Sequence, residues 1–329
     1  MNLLKHVFRA HKVDFSEKVR YRMKYDRNPL LIMLQDKYLV RNYAISKRVN
    51  TAKLLYVSDK VETIPFEQLP SKYLIKMNHG RKWNILGFNS KFYLFEDGKK
   101  LVKEDGTFIN IENASQYEMT QSEVIEKCKT WLTQKYRETE WAYQHILPKL
   151  LIEELLESKD GKALKDYRMY TFHGKVRAIS VGSAIYRREC KNIFLGTDWD
   201  EIKLSKYKEA LPNPFPERPE NLEELIDVAE RLGEDIDFAR FDLYDSSQGV
   251  VMGEVTIYPN AGSRYYPTAC PVFNKWLGDQ WKLEMNKSPD TFFENISFNI
   301  RKIPRFIKNR FLIKIVWLLS DTKLPKNIS

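Results

Sequence analysis

The chain has 329 residues, of which 43% are hydrophobic and 30% are charged, with a formal net charge of +10 at pH 7. This length allows two or three subdomains with hydrophobic cores, and the composition is that of a soluble globular protein. The excess of positive charge predicts an anionic partner, whether nucleotide phosphate, acidic glycan, nucleic acid or an anionic membrane surface.

Cysteine and histidine usage argues against several kinds of site. The three cysteines show no CxxC pattern, and the five histidines lack a metal-ligand spacing such as HExxH. Neither a zinc ribbon nor a disulfide framework is supported, and a reducing compartment fits best. Charged residues interrupt the N-terminal stretch, unlike a signal peptide, and the apolar run at 311–319 is too short to cross a bilayer. We therefore expect a cytoplasmic protein.

The predicted elements begin with helical segments over residues 16–49, which turn at Asn28-Pro29. Strands are predicted at 54–57 and 72–77, followed by Asn78-His79-Gly80 and a strand-rich meander. The meander has strands in WNILGF and FYLFEDGKKLVKEDGTFINI, with hairpin turns at Asp97-Gly98 and Asp105-Gly106.

The middle of the chain predicts a helix and a second hairpin. Residues 120–138 form an amphipathic pattern capped at Thr120 or Ser122. The run KLLIEELLE after Pro148 fits either a strand or a short helix. Residues 166–182 predict a hairpin that turns at His173-Gly174.

A proline-rich connector at 211–220 leads to a helix with Asn221 as its N-cap and Gly233 at its C-terminus. Because the strands come in hairpins and the helices in blocks, we expect an α+β fold.

The hairpin at residues 239–262 carries the most informative pattern. Asp245-Ser-Ser-Gln-Gly249 is turn chemistry, so the flanking strands are expected to pair antiparallel. The odd positions predict a buried face formed by Phe241, Leu243, Val251, Val255 and Ile257. The even positions point the other way, and they are Arg240, Asp242, Tyr244, Glu254, Thr256 and Tyr258.

Two acids on one face of this hairpin require an explanation. If Asp242 pairs with or near Glu254, the carboxylates lie within roughly 5–8 Å, and like charges so close destabilise a hairpin unless a cation lies between them. One interpretation is a divalent metal held by both acids. The other is a solvated face with an Arg240–Asp242 ion pair, and the hairpin alone does not decide between them.

Two other polar groups suit a nucleotide. Lys76 ends a predicted strand and precedes Asn-His-Gly, which suits phosphate because lysine supplies a point charge and glycine lets backbone N–H groups approach. No Walker A loop, GxxxxGK[ST], occurs in the sequence. Glu153 and Glu154 interrupt an apolar run, and either one suits a ribose hydroxyl or an exposed helix face.

The order of these blocks resembles a known family. The chain shows, in order, Asp-Lys-Tyr…Val-Arg, Leu-Ile-Lys-x-Asn-His-Gly, Glu-Glu-x-Leu, Asp-Tyr-Arg…Phe-x-Gly-Lys, Arg-x-Asp-Leu-Tyr and Gly-Glu-x-Thr-x-Tyr-Pro. From about Lys24 to about Gly262 it resembles the TupA-like branch of the ATP-grasp superfamily, named for teichuronopeptide biosynthesis and found with bacterial surface-polysaccharide functions. The resemblance implies an ATP-grasp fold, in which two α+β subdomains with mainly antiparallel sheets clamp a nucleotide.

The resemblance also implies roles for individual residues. Arg41 and Lys76 would contact the phosphates of ATP, and the loop of His79 and Gly80 would close over them. Glu153 or Glu154 would lie at the adenosine hinge, and Asp166 and Arg168 would line the nucleotide site. Asp242 and Glu254 would bind Mg2+, with Thr256 near a further ligand position, and Arg240 would stabilise charge on an acyl phosphate.

Some features depart from the family pattern. Arg81-Lys82-Trp83 follows the loop glycine where small residues are usual, so bulky side chains either block backbone approach or replace lost N–H contacts with cations. Thr256 stands where asparagine is common, and a hydroxyl is a poorer metal ligand. The sequence therefore does not decide whether the site binds one metal ion or two. Residues 87–119 suggest a lineage-specific insertion.

Four regions follow from this reading. They are an N-terminal, mainly helical region at 1–70, a smaller ATP-grasp subdomain at 71–157, a larger one at 158–290 and a basic C-terminal tail at 291–329. The tail interleaves basic and apolar residues, which fits a packed helix with a solvated basic side or, as the alternative, a helix lying on an anionic membrane at the inner face of the cell membrane. No pattern for nucleic-acid binding is visible.

The expected function is an ATP-dependent carboxylate–amine ligase that modifies a surface polysaccharide or its precursor. It would join a uronic acid to an amino acid or other amine, or an acyl group to an amino sugar. The alternative is a glycosyltransferase or glycan kinase that uses the same nucleotide clamp. A third reading, motivated by Arg81-Lys82-Trp83, is a binding protein without catalytic activity.

Overall fold

The structure is a computed structural model that describes residues 13–94, 118–159, 161, 164–182, 194–202, 215–263 and 271–285. Several predicted features lie outside the described residues. They are the turns at Asp97-Gly98 and Asp105-Gly106, most of the 87–119 insertion, residues 211–214 of the connector and the tail at 291–329.

The described helices are α1 (Phe15–Tyr25), α2 (Pro29–Gln35), α3 (Leu39–Ser46), α4 (Gln121–Thr133), α5 (Leu222–Gly233) and α6 (Pro271–Asp279). Three of the described helices, α1, α2 and α4, begin after a residue whose side chain caps the first turn. The Asn28 side chain accepts a hydrogen bond from the Leu30 backbone N–H, with Pro29 as the first helical residue. Thr120 caps α4 in a capping box with Glu123, which decides between the two predicted caps.

Asn221 occupies the N-cap position of α5, as predicted. The helix begins at Leu222 as expected, but the Asn221 side chain makes no capping hydrogen bond. Asn221 has φ −102° and ψ 32°, not the extended backbone that aims a capping side chain at the first turn. The end at Gly233 is confirmed.

The strands form two six-stranded sheets. Sheet 1 has the order β1 (Asn50–Thr51), β12 (Gly249–Thr256), β11 (Phe238–Ser246), β8 (Asp166–Phe172), β9 (Lys175–Gly182) and β10 (Phe194–Leu195). Sheet 2 has the order β2 (Leu54–Ser58), β7 (Leu150–Glu154), β3 (Lys72–Met77), β4 (Asn84–Phe88), β5 (Lys91–Leu94) and β6 (Glu118–Met119). Every named pairing is antiparallel except β1 with β12, so the expected α+β fold with mainly antiparallel sheets is confirmed. The ambiguous run at 149–157 contains strand β7.

Each sheet packs against its own helices. On sheet 2, Val124, Cys128 and Trp131 of α4 are buried in one core with Ile75 and Ile152. On sheet 1, the apolar face of α5 contributes Leu225, Val228 and Leu232 to a larger core that also includes α2. Burial of each such side chain stabilises the fold by about 1.5–3 kcal/mol relative to exposure.

The N-terminal region contributes a strand to each sheet. Strand β1 pairs in sheet 1 and β2, three residues later, pairs in sheet 2. Helices α2 and α3 pack in the core of sheet 1. The chain therefore crosses between the sheets at residues 52–53 and again between β7 and β8.

Candidate active site

Strands β11 and β12 bring the two predicted acids together. Asp242 lies directly opposite Glu254, and Arg240 lies opposite Thr256. This confirms the antiparallel hairpin and the cross-strand pairing of the acids.

One residue of the predicted buried face is misplaced. A bulge shifts the register after Asp242, so that Leu243 pairs with Met252 and Tyr244 with Val251. Met252 therefore belongs to the core of sheet 1, and Val251 lies on the other face, beside Tyr244. The bulge falls at Gly253, where a Cβ would overlap the Tyr244 ring, so a larger residue does not fit.

Arg240 and Asp242 form an ion pair within the site. The guanidinium donates to both carboxylate oxygens at 2.7 Å each, and it also donates to the Thr256 hydroxyl at 3.0 Å. Burial raises the pKa of Asp242, an effect opposed by Arg240 and by Arg168. The ion pair of the second interpretation is therefore present, but its solvated face is not, because Asp242 is buried; Arg240 contacts both Asp242 and Thr256.

Glu254 has the opposite electrostatic balance. Burial favours its neutral form, but the nearby charges of Lys37, Arg240 and Arg81 outweigh burial and lower its pKa. Glu254 is therefore a stable anion at neutral pH, with a side chain that keeps 32% of its surface exposed.

Lys37, which no sequence argument assigned, joins the two sheets. Its ammonium lies 3.4 Å from Glu254 Oε1 on sheet 1 and donates to the Gly80 carbonyl at 2.5 Å in the loop after β3. Its backbone N–H also bonds the Asn78 carbonyl. Lys37 is the lysine of the Asp-Lys-Tyr block, so the sequence contained a signal for it. It lies between α2 and α3, however, where no helix or strand periodicity predicts the direction of its side chain.

Asp166 and Arg168 lie on the neighbouring strand, as their assignment to one site requires. Arg168 pairs in register with Asp242 across β8 and β11, and its guanidinium donates to Asp166 Oδ2 at 3.0 and 2.7 Å. Burial works against the charged guanidinium, but Asp166 and Asp242 raise the pKa of Arg168. One cross-strand row thus carries Arg168, Asp242 and Glu254 on β8, β11 and β12.

A second cluster lies on the sheet 2 side. Arg41 of α3 and Lys76 of β3 each lie 2.7 Å from one oxygen of the buried Glu153 carboxylate. The register of β3 with β7 places Glu153 on the face of Lys76 and Glu154 on the opposite face. The two cations predicted to bind phosphate are therefore brought together, with a carboxylate between them.

His79 is held inside the loop that carries Gly80. Its ring nitrogens contact the Asn78 side chain and the Trp131 carbonyl at 3.1 Å each, and the residue is 4% exposed. Burial lowers the pKa of His79, against hydrogen bonds near Trp131 and Gln134. In this arrangement the imidazole braces the loop, and contact with a nucleotide stays a prediction.

An open pocket adjoins the hairpin. The residues that line it are Gln35, Arg81, Tyr136, Arg137, Glu140, Tyr143, Arg240, Glu254, Thr256, Tyr258, Asn260 and Ala261. The sequence-based assignment includes Arg240, Glu254 and Thr256 from this set. Tyr136, Tyr143 and Arg137 were missed because they lie in or beside short turns, where tertiary packing alone sets their direction.

Comparisons with known proteins place the chain in a family. The model of the family TupA-like ATPgrasp matches residues 17–282. The chain therefore belongs to the TupA-like ATP-grasp family, within the ATP-grasp ligase superfamily, as the sequence blocks predicted. No curated protein matches the sequence.

Solved structures show weaker likeness. D-alanine–D-alanine ligase from Bacillus anthracis, solved with ATP, is 11% identical over 82% of this chain and 67% of its own, with a TM-score of 0.41. An ATP-grasp RimK domain protein from Sphaerobacter thermophilus is 11% identical, covering 75% of this chain and 66% of its own, with a TM-score of 0.39. N5-carboxyaminoimidazole ribonucleotide synthetase from Thermotoga maritima is 10% identical, covering 71% and 44%, with a TM-score of 0.36. The chain thus spans about two thirds of these proteins or less.

Within the described ranges, no helix has the length and apolar character that a membrane span requires.

Proposed function

We propose that this chain is an ATP-dependent carboxylate–amine ligase that modifies a bacterial surface polysaccharide or its precursor, joining a uronic acid to an amino acid. A carboxylate oxygen of the acceptor attacks the γ-phosphorus of ATP, and the bond from that phosphorus to the ADP oxygen breaks. The amine nitrogen then attacks the acyl carbon and loses a proton, and phosphate leaves. The observation that carries this proposal is the cross-strand pair Asp242–Glu254, bracketed by Arg240 and Lys37.

The acids fit a magnesium ion by their chemistry. Mg2+ prefers oxygen ligands, and Asp242, Glu254 and Thr256 offer oxygens on adjacent strands. Arg240 donates one hydrogen bond to each Asp242 oxygen, and a carboxylate has about four lone-pair sites, so the guanidinium and a metal ion are able to share it. When bound, the ion would neutralise phosphate charge. The described residues bring no third acid, histidine or cysteine into such a cluster, so phosphate and water oxygens would complete the shell.

The cations supply the remaining charge complementarity. Arg41 and Lys76 would exchange the Glu153 carboxylate for phosphate oxygens, because both groups offer the same anionic oxygen chemistry. In this proposal Arg240 and Lys37, which flank the two acids, would stabilise charge that develops on an acyl phosphate, because preorganised cations of this kind stabilise an anionic transition state.

The one described cysteine does not offer a covalent route. Cys128 is fully buried in the core of sheet 2, and burial raises the pKa of its thiol to about 12. Direct phosphoryl transfer to a bound carboxylate fits this part of the chain better than attack by a cysteine thiolate.

Product analysis tests the reaction class. ADP release would be followed with glucuronate and a panel of amino acids, each omitted in turn, and the products weighed by mass spectrometry. A ligase gives an amide, ADP and phosphate only when the acid and an amine are both present. A phosphorylated sugar formed without any amine would instead establish the kinase alternative.

The membrane contact of residues 291–329 is tested separately. If the tail binds anionic lipid, the full chain should float with anionic liposomes and a chain that ends at Asp290 should not. Equal behaviour of the two chains would rule this contact out.

A further inference from the structure

The loop after β3 is anchored by an aromatic side chain in place of small residues. Trp83 covers Gly80 so closely that a Cβ there would overlap its ring. The Trp83 ring packs edge-on against His79 at 5.3 Å and Tyr136 at 5.7 Å, and it stacks on Trp131 at 6.3 Å. Tyr136 in turn contacts Tyr143 at 4.7 Å. The loop is therefore packed against the tyrosines that line the pocket.

This packing turns Arg81 towards the pocket. Arg81 lines it together with Arg137 and Arg240. The other two guanidinium groups already have acidic partners, since Arg240 binds Asp242 and Arg137 lies 3.2 Å from Glu140. Among the residues that the structure describes, Arg81 makes no hydrogen bond or ion pair, and it is exposed. It is the pocket cation with room for an anion from solution.

The position of Arg81 also connects the pocket to the acids of the hairpin. Its charge acts on Glu254 on one side and on Glu140 and Tyr143 on the other. An anion held by Arg81 would therefore lie beside Glu254 and Thr256, where the phosphate of a nucleotide is proposed to bind.

The rest of the lining favours a ligand rich in hydroxyl groups. Besides the charged residues Arg137, Glu140, Arg240 and Glu254, it offers amides from Gln35 and Asn260 and hydroxyls from Tyr136, Tyr143, Tyr258 and Thr256. Gln35 donates to the Tyr143 hydroxyl at 2.7 Å, which fixes the orientation of both groups. A few placed polar groups of this kind give a pocket its specificity.

We propose that Arg81 and Trp83 select the acceptor: Arg81 is a specificity-determining residue that binds a carboxylate on a hydroxyl-rich acceptor, and Trp83 is the positioning residue that holds Arg81 at the pocket. This inference rests on the proposed function, which supplies the adjacent nucleotide. It gives the unusual Arg81-Lys82-Trp83 sequence a role in substrate choice.

Binding of paired probes tests the proposal. Glucuronate and galacturonate, and their neutral counterparts glucose and galactose, would be titrated by saturation-transfer NMR with and without a non-hydrolysable ATP analogue and Mg2+. The native chain should bind the acids at least tenfold more tightly than the neutral sugars. Arg81→Gln should remove this preference, and Arg81→Lys should restore part of it. Lys82→Gln, which removes the same charge from the next position in the loop, should keep the preference.

Three results would overturn the proposal. The first is equal or absent binding of acid and neutral sugar by the native chain. The second is an equal loss of the preference for the acid in Arg81→Gln and Lys82→Gln. The third is a larger loss of affinity for the nucleotide analogue than for the uronate in Arg81→Gln. The last result would make Arg81 a phosphate ligand. Failure of the proposed ligase itself is distinguished by product analysis, because the native chain would then form no amide from uronate, amine and MgATP even if it preferred uronates to neutral sugars.

Discussion

The ammonium of Lys37 lies 3.4 Å from the carboxylate of Glu254, although the two residues are 217 positions apart and the same ammonium also bonds Gly80 in the loop of sheet 2. One side chain thus sets the spacing between that loop and the hairpin of sheet 1. Lys37 also lowers the pKa of Glu254 and so keeps its carboxylate charged.

Replacing Lys37 should loosen the nucleotide site. In Lys37→Met, Glu254 loses its nearest cation and the Gly80 carbonyl loses a donor, so we expect MgATP affinity to fall about tenfold, which corresponds to ~1.4 kcal/mol. Titration calorimetry measures this change. The control is Lys47→Met, which removes a lysine paired with Glu234 and Asp235 away from the site. Equal affinities in the two variants would show that Lys37 does not couple the sheets.

Glu153 is expected to stabilise the free protein at the expense of nucleotide binding. Glu153→Gln leaves Arg41 and Lys76 without their shared carboxylate, and breaking such a buried ion pair costs about 3–5 kcal/mol. We expect a lower Tm without ligand and a larger rise in Tm on adding MgATP than in the native protein, because phosphate then replaces the missing anion.

The matched control for this variant is Glu157→Gln, which removes a carboxylate paired with the exposed Lys72. It should leave the Tm rise with MgATP at the native value. A Tm rise in Glu153→Gln no larger than that in Glu157→Gln would contradict the assignment of Arg41 and Lys76 to the phosphates.

Asp36 predicts a distinct pH dependence of stability. Burial raises its pKa from 3.8 to about 6, against hydrogen bonds from the Tyr38 backbone and Asn78. Because the folded pKa lies above the unfolded one, the folded state holds the extra proton between about pH 4 and 6, and stability is lost as pH rises through this window. A shift of about two units corresponds to ~3 kcal/mol.

Asp36→Asn removes the charge but keeps an oxygen that accepts those hydrogen bonds. We therefore expect the variant to be more stable than the native protein by up to ~3 kcal/mol above pH 6, with little difference near pH 4. Urea unfolding across this pH range measures the difference, and Asp59→Asn at an exposed position is the control. A difference that is independent of pH would contradict the account.

The sequence could predict the parts of the site that depend on alternation along a strand. Asp242 and Glu254 were paired from a two-residue period and a turn signal, and the structure pairs them directly. Val251 was placed on the wrong face because the bulge at Gly253 interrupts that period, and the alternation of residue types does not predict the bulge. Met252 takes its place in the core.

Contacts between separate elements could not be predicted in the same way. Glu153 and Glu154 were equivalent in the sequence, and only the pairing of β7 with β3 shows that Glu153 meets Lys76. Lys37 lies between two helices and Tyr143 lies in a short 3-10 helix (Trp141–His145), so the directions of their side chains depend on packing against distant residues. The sequence marked Arg81 as a departure from the family pattern. Its position in a pocket could not be predicted, because residues 136–143, which line the pocket with it, come from a distant part of the chain.

Titration calorimetry of MgATP into the native chain, Asp242→Asn and Asp245→Asn tests the central claim most directly. The amide introduced by Asp242→Asn keeps one acceptor oxygen for Arg240, so the fold should persist by circular dichroism, whereas Asp245 lies on the same strand and pairs with Lys159 outside the site. The account predicts magnesium-dependent ATP binding by the native chain and Asp245→Asn, and its loss in Asp242→Asn. Binding of equal strength in all three proteins, or none in the native chain, would contradict it.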